Sequence, residues 1–511
     1  MQNSNPFVVK FAASLIAVLG CFDRVIFKGH LPFGDDAHLN RFVDHTLRMP
    51  RKDFIAFLED KTEQLVTHAK ALAEQNSAPY HYLQGRHRKE DLVQQAIRDR
   101  RLVEGLVCVL CCMENCRTVK LLYGNARPRL AFTWRQQRVL YFYFLDAQFG
   151  LRYVRVQTWF PFTTQVYVNG HDWLARQLQQ AGVGFVQQDN AFTQLDDPVK
   201  AQELAEGFAR LPWTELLESW TRQVNPLLEQ PWLSGKNNYW VIDQAEYSTD
   251  VLFKSREHLA GLYPRLLDHA VVNFSAKDIL TFLGRRLHPR FDGEVLTDCK
   301  KDRWPGARIK HRVKNNWLKM YDKFGQILRI ETVINNPREF KVRRRRQRQR
   351  RWEMCWCPMN KGVSNFYHYQ EVAQAANGRY LEALAVVEDP QPTYRRVEEL
   401  AQPKVQSGRS YAGFNPARQQ DVELFRAVLA GGSALQGFRN ADVRRTLFGE
   451  ARQQSRRRRE AAAVGRRLKR LHVRGLIAKV PRSRRWRVTA KGQSLLGAVV
   501  RLYHHGLPVA A

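Results

Sequence analysis

Residues 308–342 most constrain what this chain can fold into, because they carry three runs with strand-like alternation, RIKHRVKNNWLKMYDKFGQILRIETVINNPREFKV. The runs are separated by Asn315-Asn316 and by Phe324-Gly325, which are both favourable turn sites. The pattern predicts an antiparallel three-stranded meander. Side chains alternate along a strand, so Leu318 and Met320 are expected to point into a core.

The opposite face of this meander is predicted to be polar. It carries a tyrosine, a carboxylate and two cations, namely Lys319, Tyr321, Arg329 and Glu331. A solvated sheet face with cross-strand ion pairs has the same pattern. Flanking charge favours a functional surface, because residues 338–351 hold nine Lys or Arg and one Glu. Such a frame of cations suits a polyanion.

The charge of the whole chain supports the same class of partner. Its 511 residues contain 82 Lys+Arg against 49 Asp+Glu, a formal net charge of +33. This excess indicates nucleic acid and, less strongly, an anionic membrane surface. No apolar run reaches about 18 residues, so we expect a cytoplasmic protein without a membrane partner. A homo-oligomer remains open.

The order of patterned segments predicts an α+β fold, with an antiparallel-sheet multi-domain core and a C-terminal winged helix-turn-helix domain. Residues 138–170 read as three strands followed by a helix, and residues 195–230 read as helices. An apolar first helix is expected to lead into a strand over residues 21–28. The predicted domains are a mixed α/β region at 1–135, an α+β core with the meander at 136–345, a basic connection and helical region at 346–418, and the winged helix-turn-helix domain at 419–511.

The C-terminal region reads as helix, helix, basic helix and a strand-turn-strand piece. Its phrase LKRLHVRGLIAKVPRSRRWRVTAKG resembles the recognition helix and wing of MarR-type winged-helix proteins, over about 75 residues. From Gly437 to the end there are 20 Lys/Arg and 3 Asp/Glu. The resemblance implies nucleic-acid recognition; a protein-binding winged helix is the alternative and needs less charge.

The predicted nucleic-acid contacts come from three basic segments: the start of the meander, the arginine run after it, and the C-terminal helix and wing. They are Arg308, Lys310, His311, Arg312, Lys314, Arg343, Arg344, Arg345, Arg346, Arg466, Arg467, Lys469, Arg470, Arg484, Arg485 and Arg487.

A cluster of acids in residues 238–254 predicts a metal site. If this segment is a helix, Asp243, Glu246 and Asp250 share one face. Divalent cations such as Mg²⁺ or Mn²⁺ prefer oxygen ligands, and Glu294 adds a fourth acid before the meander. Pairing of these acids with arginines is the alternative.

The eight cysteines do not predict a zinc site. Cys108, Cys111, Cys112 and Cys116 have metal-like spacing but lie in an apolar run, which favours buried thiols over zinc. His171 and Asp189 follow predicted strand ends, where sites often lie; a histidine in the cap region of a helix is the plainer interpretation.

The words LKMYDKFGQILRIE resemble a motif of the rolling-circle replication initiators of plasmids and phages. The resemblance implies that Tyr321 is a nucleophile toward a DNA phosphodiester and that Glu331 is a metal ligand or base. Lys319 or Lys323 would stabilise the developing charge. The chain lacks the His-hydrophobic-His pair of those initiators. Its KHRVK…KMYDK…LRIET core also resembles an uncharacterised bacterial family.

Together these patterns favour a DNA-binding protein of mobile-element or replication-initiator type, with metal-dependent nicking or strand transfer through a tyrosine. Whether the chain is an enzyme is left open. A non-catalytic winged-helix regulator is one alternative. A protein that binds structured RNA is the other, because the loop PYHYLQGRHR at 79–88 is basic and aromatic.

Overall fold

The structure is a computed structural model. It describes residues 5–85, 88–123, 128–285, 291, 293–300, 307–348, 351–387, 394–430, 437–450, 453–481 and 483–505. The chain forms two compact units, each built from separated segments. Unit 1 comprises Met1–Val18, Thr249–Thr332 and Val372–Ala511, and unit 2 comprises Leu19–Ser248 and Val333–Glu371. The predicted α+β class with mainly antiparallel strands is confirmed.

Unit 2 is built on long antiparallel strands flanked by helices. Strand β1 enters it from unit 1, and β9 and helix α10 leave it for unit 1. Its strands are β1 (Leu15–His30), β2 (Tyr80–Tyr82), β3 (Gly105–Leu122), β4 (Arg129–Asp146), β5 (Gly150–Gln157), β6 (Thr164–Asn169), β7 (Phe185–Gln188), β8 (Ala191–Leu195), β9 (Tyr239–Phe253), β14 (Lys341–Arg348) and β15 (Arg351–Pro358). Its helices are α2 (Asp36–Arg41), α3 (Phe54–Gln75), α4 (Lys89–Arg100), α5 (Gly170–Gln180), α6 (Pro198–Gly207) and α7 (Trp213–Val224).

The pairing order in unit 2 runs β1, β6, β5, β4, β3 and β2. All these neighbours are antiparallel except β2, which lies parallel to β3. The predicted strands and helix over residues 138–182 are confirmed. Helix α5 begins here because the Asn169 side chain accepts hydrogen bonds from the backbone N–H groups of His171 and Asp172. Gly170 is required, because a Cβ there would lie 2.3 Å from the Phe22 carbonyl oxygen.

Unit 1 contains the meander and the C-terminal helices. Its strands are β10 (Val295–Lys300), β11 (Arg308–Val313), β12 (Asn316–Lys323), β13 (Ile327–Ile334), β16 (Lys404–Gln406), β17 (Arg409–Tyr411), β18 (Ile477–Lys479) and β19 (Trp486–Val488). Its helices are α1 (Pro6–Phe11), α8 (Arg256–Asn273), α9 (Ala276–Phe282), α10 (Phe366–Leu384), α11 (Tyr394–Ala401), α12 (Gln419–Leu429), α13 (Asn440–Phe448), α14 (Gln454–Val473) and α15 (Ala490–His505).

The predicted meander is confirmed as β11, β12 and β13. The first turn lies at Lys314-Asn315, one residue before the predicted Asn315-Asn316, because Asn316 already pairs with Val313. The second turn lies where predicted and places Phe324 at φ 60° and Gly325 at φ 74°. Two successive left-handed residues match the twist of a tight hairpin. Leu318 and Met320 are buried, as the alternation predicted, and β13 is buried along its whole length.

The predicted helix over residues 238–254 is wrong, because this segment is strand β9. Its residues are buried almost throughout, so the polar and apolar alternation of a strand with one wet face is missing. Val241, Ile242, Tyr247, Thr249 and Val251 favour a strand. The first helix is likewise shorter than expected, since α1 ends at Phe11 and β1 already begins at Leu15.

The arginine run is a strand rather than a connection. β14 pairs with β15 in an antiparallel hairpin from Lys341↔Pro358 to Arg348↔Arg351. The predicted boundary at 345/346 therefore falls inside β14, and the boundary at 135/136 falls inside β4. A run of charged residues does not by itself indicate a linker. Here the facing strand supplies tryptophan, methionine and cysteine, against which the arginine run pairs as a strand.

The C-terminal part of unit 1 has an apolar core of its own. Val464, Leu468 and Leu471 place one face of α14 in that core, against residues of α12, α13 and α15. The succession α12, α13, α14, β18 and β19 agrees with the predicted element order. The winged-helix assignment itself remains a prediction.

Candidate functional site

Three residues of the meander form what we call the tyrosine cluster: Lys319, Tyr321 and Glu331. The Tyr321 hydroxyl donates a hydrogen bond of 2.6 Å to Glu331 Oε2, and the Lys319 ammonium pairs with Glu331 Oε1. Glu331 is only 1% exposed, whereas Tyr321 is half-buried. A phenol bonded to a carboxylate has a proton acceptor at hand, which is the arrangement that a tyrosine nucleophile needs.

Cations of the neighbouring strand surround this cluster. Arg308 of β11 lies directly opposite Tyr321, and Lys310 lies opposite Lys319. Burial and the like charges of Lys319 and Arg308 lower the pKa of Lys310. Lys310 also lies 3.8 Å from the centre of the Trp317 ring. This part of the sheet face therefore carries positive charge beyond what Glu331 neutralises.

Two other residues that were predicted to belong to the site in the meander are buried inside the protein. Arg329 is fully buried and binds Asp250 with two parallel hydrogen bonds of 2.6 Å, from Nε to Oδ1 and from an Nη to Oδ2. The expectation that Arg329 lies on an open polar face is therefore wrong. Lys323 is also buried, with its ammonium 5.0 Å from the Phe324 ring centre.

The structure separates the four predicted metal ligands. Asp243 lies 3.7 Å from the Lys361 ammonium, Glu246 accepts a hydrogen bond from Gln244, and Asp250 binds Arg329. Glu294 is exposed ahead of β10. Because β9 is a strand, Asp243 points to the opposite face from Glu246 and Asp250. The shared helical face on which this prediction depended does not exist.

A different acid lies close to Glu246 in unit 2. Asp23 of β1 and Glu246 of β9 each offer a carboxylate oxygen within 4.8 Å of the other. Both side chains are buried. Two such oxygens fit a divalent cation of the Mg²⁺ or Mn²⁺ type. Asp23 was not predicted, because it is 223 positions from Glu246 in the sequence.

Asp23 also belongs to a buried polar network that sequence reasoning missed. It accepts hydrogen bonds from Asn169 and Asn190, at 3.3 and 2.5 Å, and lies 3.6 Å from His171 Nδ1. The other ring nitrogen of His171 is 3.4 Å from Ser248 Oγ. This is the connectivity of an acid–histidine–serine triad, but His171 and Ser248 are fully buried, so a substrate has no access. The network joins β1, β6, α5 and β9.

The hairpin β14–β15 exposes what we call the arginine–tryptophan face. Arg343 lies opposite Trp356, Arg345 opposite Met354, and Gln347 opposite Trp352. Residues directly opposite in an antiparallel pair point to the same side of the sheet. Trp352 and Trp356 are 68% and 69% exposed, which is exceptional for so large an apolar side chain.

Helix α14 presents a second set of exposed cations, in unit 1. Arg458, Arg459, Arg466 and Lys469 are exposed on the face away from the buried Val464 and Leu468. Arg484 and Arg487 are exposed around β19. Buried Arg444 of α13 bonds Glu460 of α14 at 3.2 Å, which fixes the two helices to each other.

Three of the predicted nucleic-acid contacts have other roles. His311 is fully buried between Thr297 and Tyr380, at 2.9 and 3.0 Å, so its expected contact with nucleic acid is wrong. Arg470 donates to the carbonyl groups of Ala412 and Gly413 and lies 4.0 Å from the Phe414 ring centre. Arg485 donates to the Gly437 carbonyl. The other members are exposed or half-buried: Arg308, Lys310, Arg312, Lys314, Arg343, Arg344, Arg345, Arg346, Arg466, Arg467, Lys469, Arg484 and Arg487.

Two further sequence features have a clear placement. Cys108, Cys111, Cys112 and Cys116 lie on β3 as buried thiols, as expected, and burial raises the pKa of Cys108 to about 12 and that of Cys112 to about 11. Within the basic aromatic loop, Tyr80–Tyr82 forms β2, and Arg86 and His87 lie outside the described residues.

Comparisons with protein-family models, with curated proteins and with solved structures found no match for this chain. Among the helices that the structure describes, none is both long and apolar enough to span a bilayer.

Proposed function

We propose that the protein binds nucleic acid, with single strands engaged by the arginine–tryptophan face. The observation that carries this proposal is the pairing of Arg343 with Trp356 and of Gln347 with Trp352 on one exposed side of a hairpin. Nucleobases stack on exposed aromatic rings, and neighbouring arginines neutralise the phosphates. An exposed aromatic patch of this kind lowers the solubility of a protein. A ligand that covers the patch is a physical reason for the chain to retain it.

Helix α14 supports the same proposal for duplex DNA. Its outward cations follow one helical face over an apolar core, as in a helix that lies in the major groove. This surface accords with the resemblance to MarR-type winged helices.

The test is fluorescence anisotropy with labelled single-stranded DNA, duplex DNA and structured RNA over a range of salt. Each lost stacking contact costs about 1–3 kcal/mol, so Trp352→Leu with Trp356→Leu is expected to weaken single-strand binding by at least about tenfold. Arg466→Gln with Lys469→Gln is expected to weaken duplex binding instead. Lys52→Gln, at an exposed cation just before α3 that belongs to neither surface, is the matched control. Binding that is unchanged in both double variants would contradict the proposal, and a preference for RNA would select the RNA-binding alternative.

We further propose that the tyrosine cluster cleaves a phosphodiester. The Tyr321 oxygen forms a bond to phosphorus while the bond from phosphorus to the leaving-strand oxygen breaks. The phenol proton passes to Glu331, and the leaving oxygen takes a proton from water. Lys319 pairs with Glu331 and Arg308 lies opposite Tyr321, so in this proposal these two cations stabilise the negative charge that develops on the phosphate. A Mg²⁺ or Mn²⁺ ion would neutralise charge on the phosphate.

The cleavage proposal has its own assay. Labelled DNA and RNA are incubated with Mg²⁺ or Mn²⁺ and with the wild-type protein or Tyr321→Phe. Cleavage that disappears with the single oxygen, together with a covalent protein–strand adduct, is the expected result. Salt-sensitive binding without cleavage of any substrate would overturn the nuclease and leave a binding protein.

One observation favours that second candidate, a non-catalytic DNA-binding regulator. Both oxygens of Glu331 are already engaged, by Lys319 and by Tyr321. Such a cross-strand network also stabilises a sheet without any substrate. If the protein is such a regulator, Tyr321→Phe changes only its stability. Comparing the wild-type protein with Tyr321→Phe tests this.

A further inference from the structure

A cavity of about 340 Å³ opens on unit 2 at the end of β1. Lys28 and His30 of β1, Arg117 of β3 and Arg155 of β5 line it. Among the described residues that line it, none is acidic. The volume lies within the range of small-molecule sites. We call this cavity the basic pocket.

The cations of the basic pocket are held in place before any ligand arrives. Arg117 donates a hydrogen bond of 2.9 Å to the Gly34 carbonyl and lies 3.7 Å from the Phe132 ring centre. Arg155 bonds Glu114 at 3.0 Å, which neutralises part of its charge. Arg117 and Lys28 therefore supply most of the positive charge.

His30 reports how positive this environment is. Burial, and next the charge of Lys28, lower the pKa of His30 to about 4, with a further lowering by Arg117 and an opposing effect of Asp243. A pocket in which a neighbouring imidazole resists a second proton is suited to an anion. The neutral imidazole can still donate one hydrogen bond to that anion.

An aromatic platform stands beside these cations. Trp134 of β4 lines the pocket, is 64% exposed and lies directly opposite Arg117 in the β3–β4 pair. Opposite residues in such a pair have their Cβ atoms about 5 Å apart. A flat ring stacked on Trp134 would thus keep an attached anionic group within reach of Arg117.

From this arrangement we propose that the basic pocket binds a nucleotide through its phosphate and its base. The phosphate is held by Arg117 and Lys28, and the base stacks on Trp134. A carboxylate or an inorganic anion would use the cations but not the ring. The nucleotide is either a free nucleoside monophosphate or the phosphorylated end of a strand; in the second form the proposal rests on the proposed function.

The test uses the full chain and two sets of probes. Titration with adenosine monophosphate and with adenosine measures the contribution of the phosphate. Short oligodeoxyadenosines with a 5′-phosphate, a 3′-phosphate or neither measure the strand end. Trp134→Leu and Lys28→Met are compared with Tyr123→Leu and Lys52→Met, which exchange exposed residues outside the pocket, and thermal unfolding checks that each variant is folded.

We expect adenosine monophosphate to bind at least about tenfold more tightly than adenosine, and both pocket variants to lose that preference. Strand-end recognition would appear as a similar preference for one phosphorylated oligonucleotide that the pocket variants abolish. If neither probe shows a phosphate preference that depends on Trp134 and Lys28, the pocket proposal is overturned. Binding of the unphosphorylated strand that depends on Trp352 and Trp356 would then leave the proposed function intact.

Discussion

The tyrosine cluster and the arginine–tryptophan face are both sets of charged and aromatic side chains on paired strands, but the structure treats them in opposite ways. Around the cluster, Glu331 and Arg329 are buried, and each binds a partner of opposite charge. On the hairpin, no ion pair is found for Arg343 or Arg345 among the described residues, and the tryptophans are exposed. Charge that is compensated within the fold serves stability first, whereas uncompensated charge beside bare aromatic rings is available to a ligand.

The largest expected effect concerns the buried ion pair between Arg329 and Asp250. Arg329→Leu leaves Asp250 buried without its cation, which should lower the free energy of unfolding by about 3–5 kcal/mol. Urea unfolding measures the loss. Arg312→Leu, an exposed arginine on β11, should change stability by less than about 0.5 kcal/mol. Adding Asp250→Leu to the Arg329 variant should restore part of the loss; an unfolding midpoint that stays at the wild-type value in the single variant would contradict this account.

The next effect concerns the carboxylate of the tyrosine cluster. Glu331→Gln keeps an acceptor for Tyr321 but removes the charge that faces Lys319, so we expect a loss of about 2 kcal/mol in the free energy of unfolding. Tyr321→Phe, which removes one neutral donor, should cost about 1 kcal/mol. Denaturant unfolding of both variants checks the order, and a more damaging Tyr321→Phe would show that the phenol, rather than the charge, holds the two strands.

On the exposed side, the same kind of substitution should change binding and spare the fold. If Arg343 and Arg345 contact phosphates as proposed, Arg343→Gln with Arg345→Gln removes two such contacts, and the slope of log K against log salt for single-stranded DNA should become shallower by about 1.4. Anisotropy titrations at several salt concentrations measure this slope. Arg346→Gln, on the other side of β14, is the control, and an equal change in that variant would mean that the hairpin acts as diffuse charge.

The smallest effect concerns the partly buried carboxyl group of Asp322, which a backbone hydrogen bond from Gly325 compensates only in part. Burial raises the pKa of Asp322 from 3.8 to about 6. The folded state thus holds this proton more tightly than the unfolded state does, and the resulting stability is present below about pH 4 and lost as the pH rises through 6. Because Asp322 is partly exposed, we expect Asp322→Asn to raise the free energy of unfolding by only about 1 kcal/mol at pH 7.

At pH 4 the gain from Asp322→Asn should vanish, since the carboxyl group is then neutral in the folded protein. Urea midpoints of the wild type and the variant at the two pH values provide the measurement. Asp298→Asn, at an exposed acid of β10, should shift the midpoint equally little at both. A stabilisation by Asp322→Asn that is independent of pH would point to packing rather than proton binding.

The sequence predicted the meander well because its signals are local. Turn residues separate the strands, and alternation within β12 assigns Leu318 to the core and Tyr321 to the other face. It also brought Lys319, Tyr321 and Glu331 together correctly, because a hairpin register follows from its turn. Alternation could not show that β13 is buried on both faces, so it could not foresee that Arg329 is buried against Asp250.

The failures have two physical causes. In β9 the acids happen to recur at a helical spacing, and burial on both faces removed the period of two that marks a strand. The Asp23 network and the basic pocket depend on residues that are far apart in sequence but close in the fold, such as Asp23 with Asn190 and Lys28 with Arg117. No local pattern carries such contacts, and knowledge of strand pairing is what reveals them.

The length of the outward row of cations on helix α14 has one more consequence. A helix advances 1.5 Å per residue, so its outward row from Arg458 to Lys469 is about 16 Å long. Phosphates along one DNA strand recur about every 3.4 Å of axis, so a row of this length equals about five phosphate spacings. The position of this row is fixed relative to α13, because Arg444 of α13 is bonded to Glu460 of α14. Moving the cation of Lys469 to position 468 would turn it about 100° around the helix axis onto the buried face, so the helix would keep its charge but lose an outward cation.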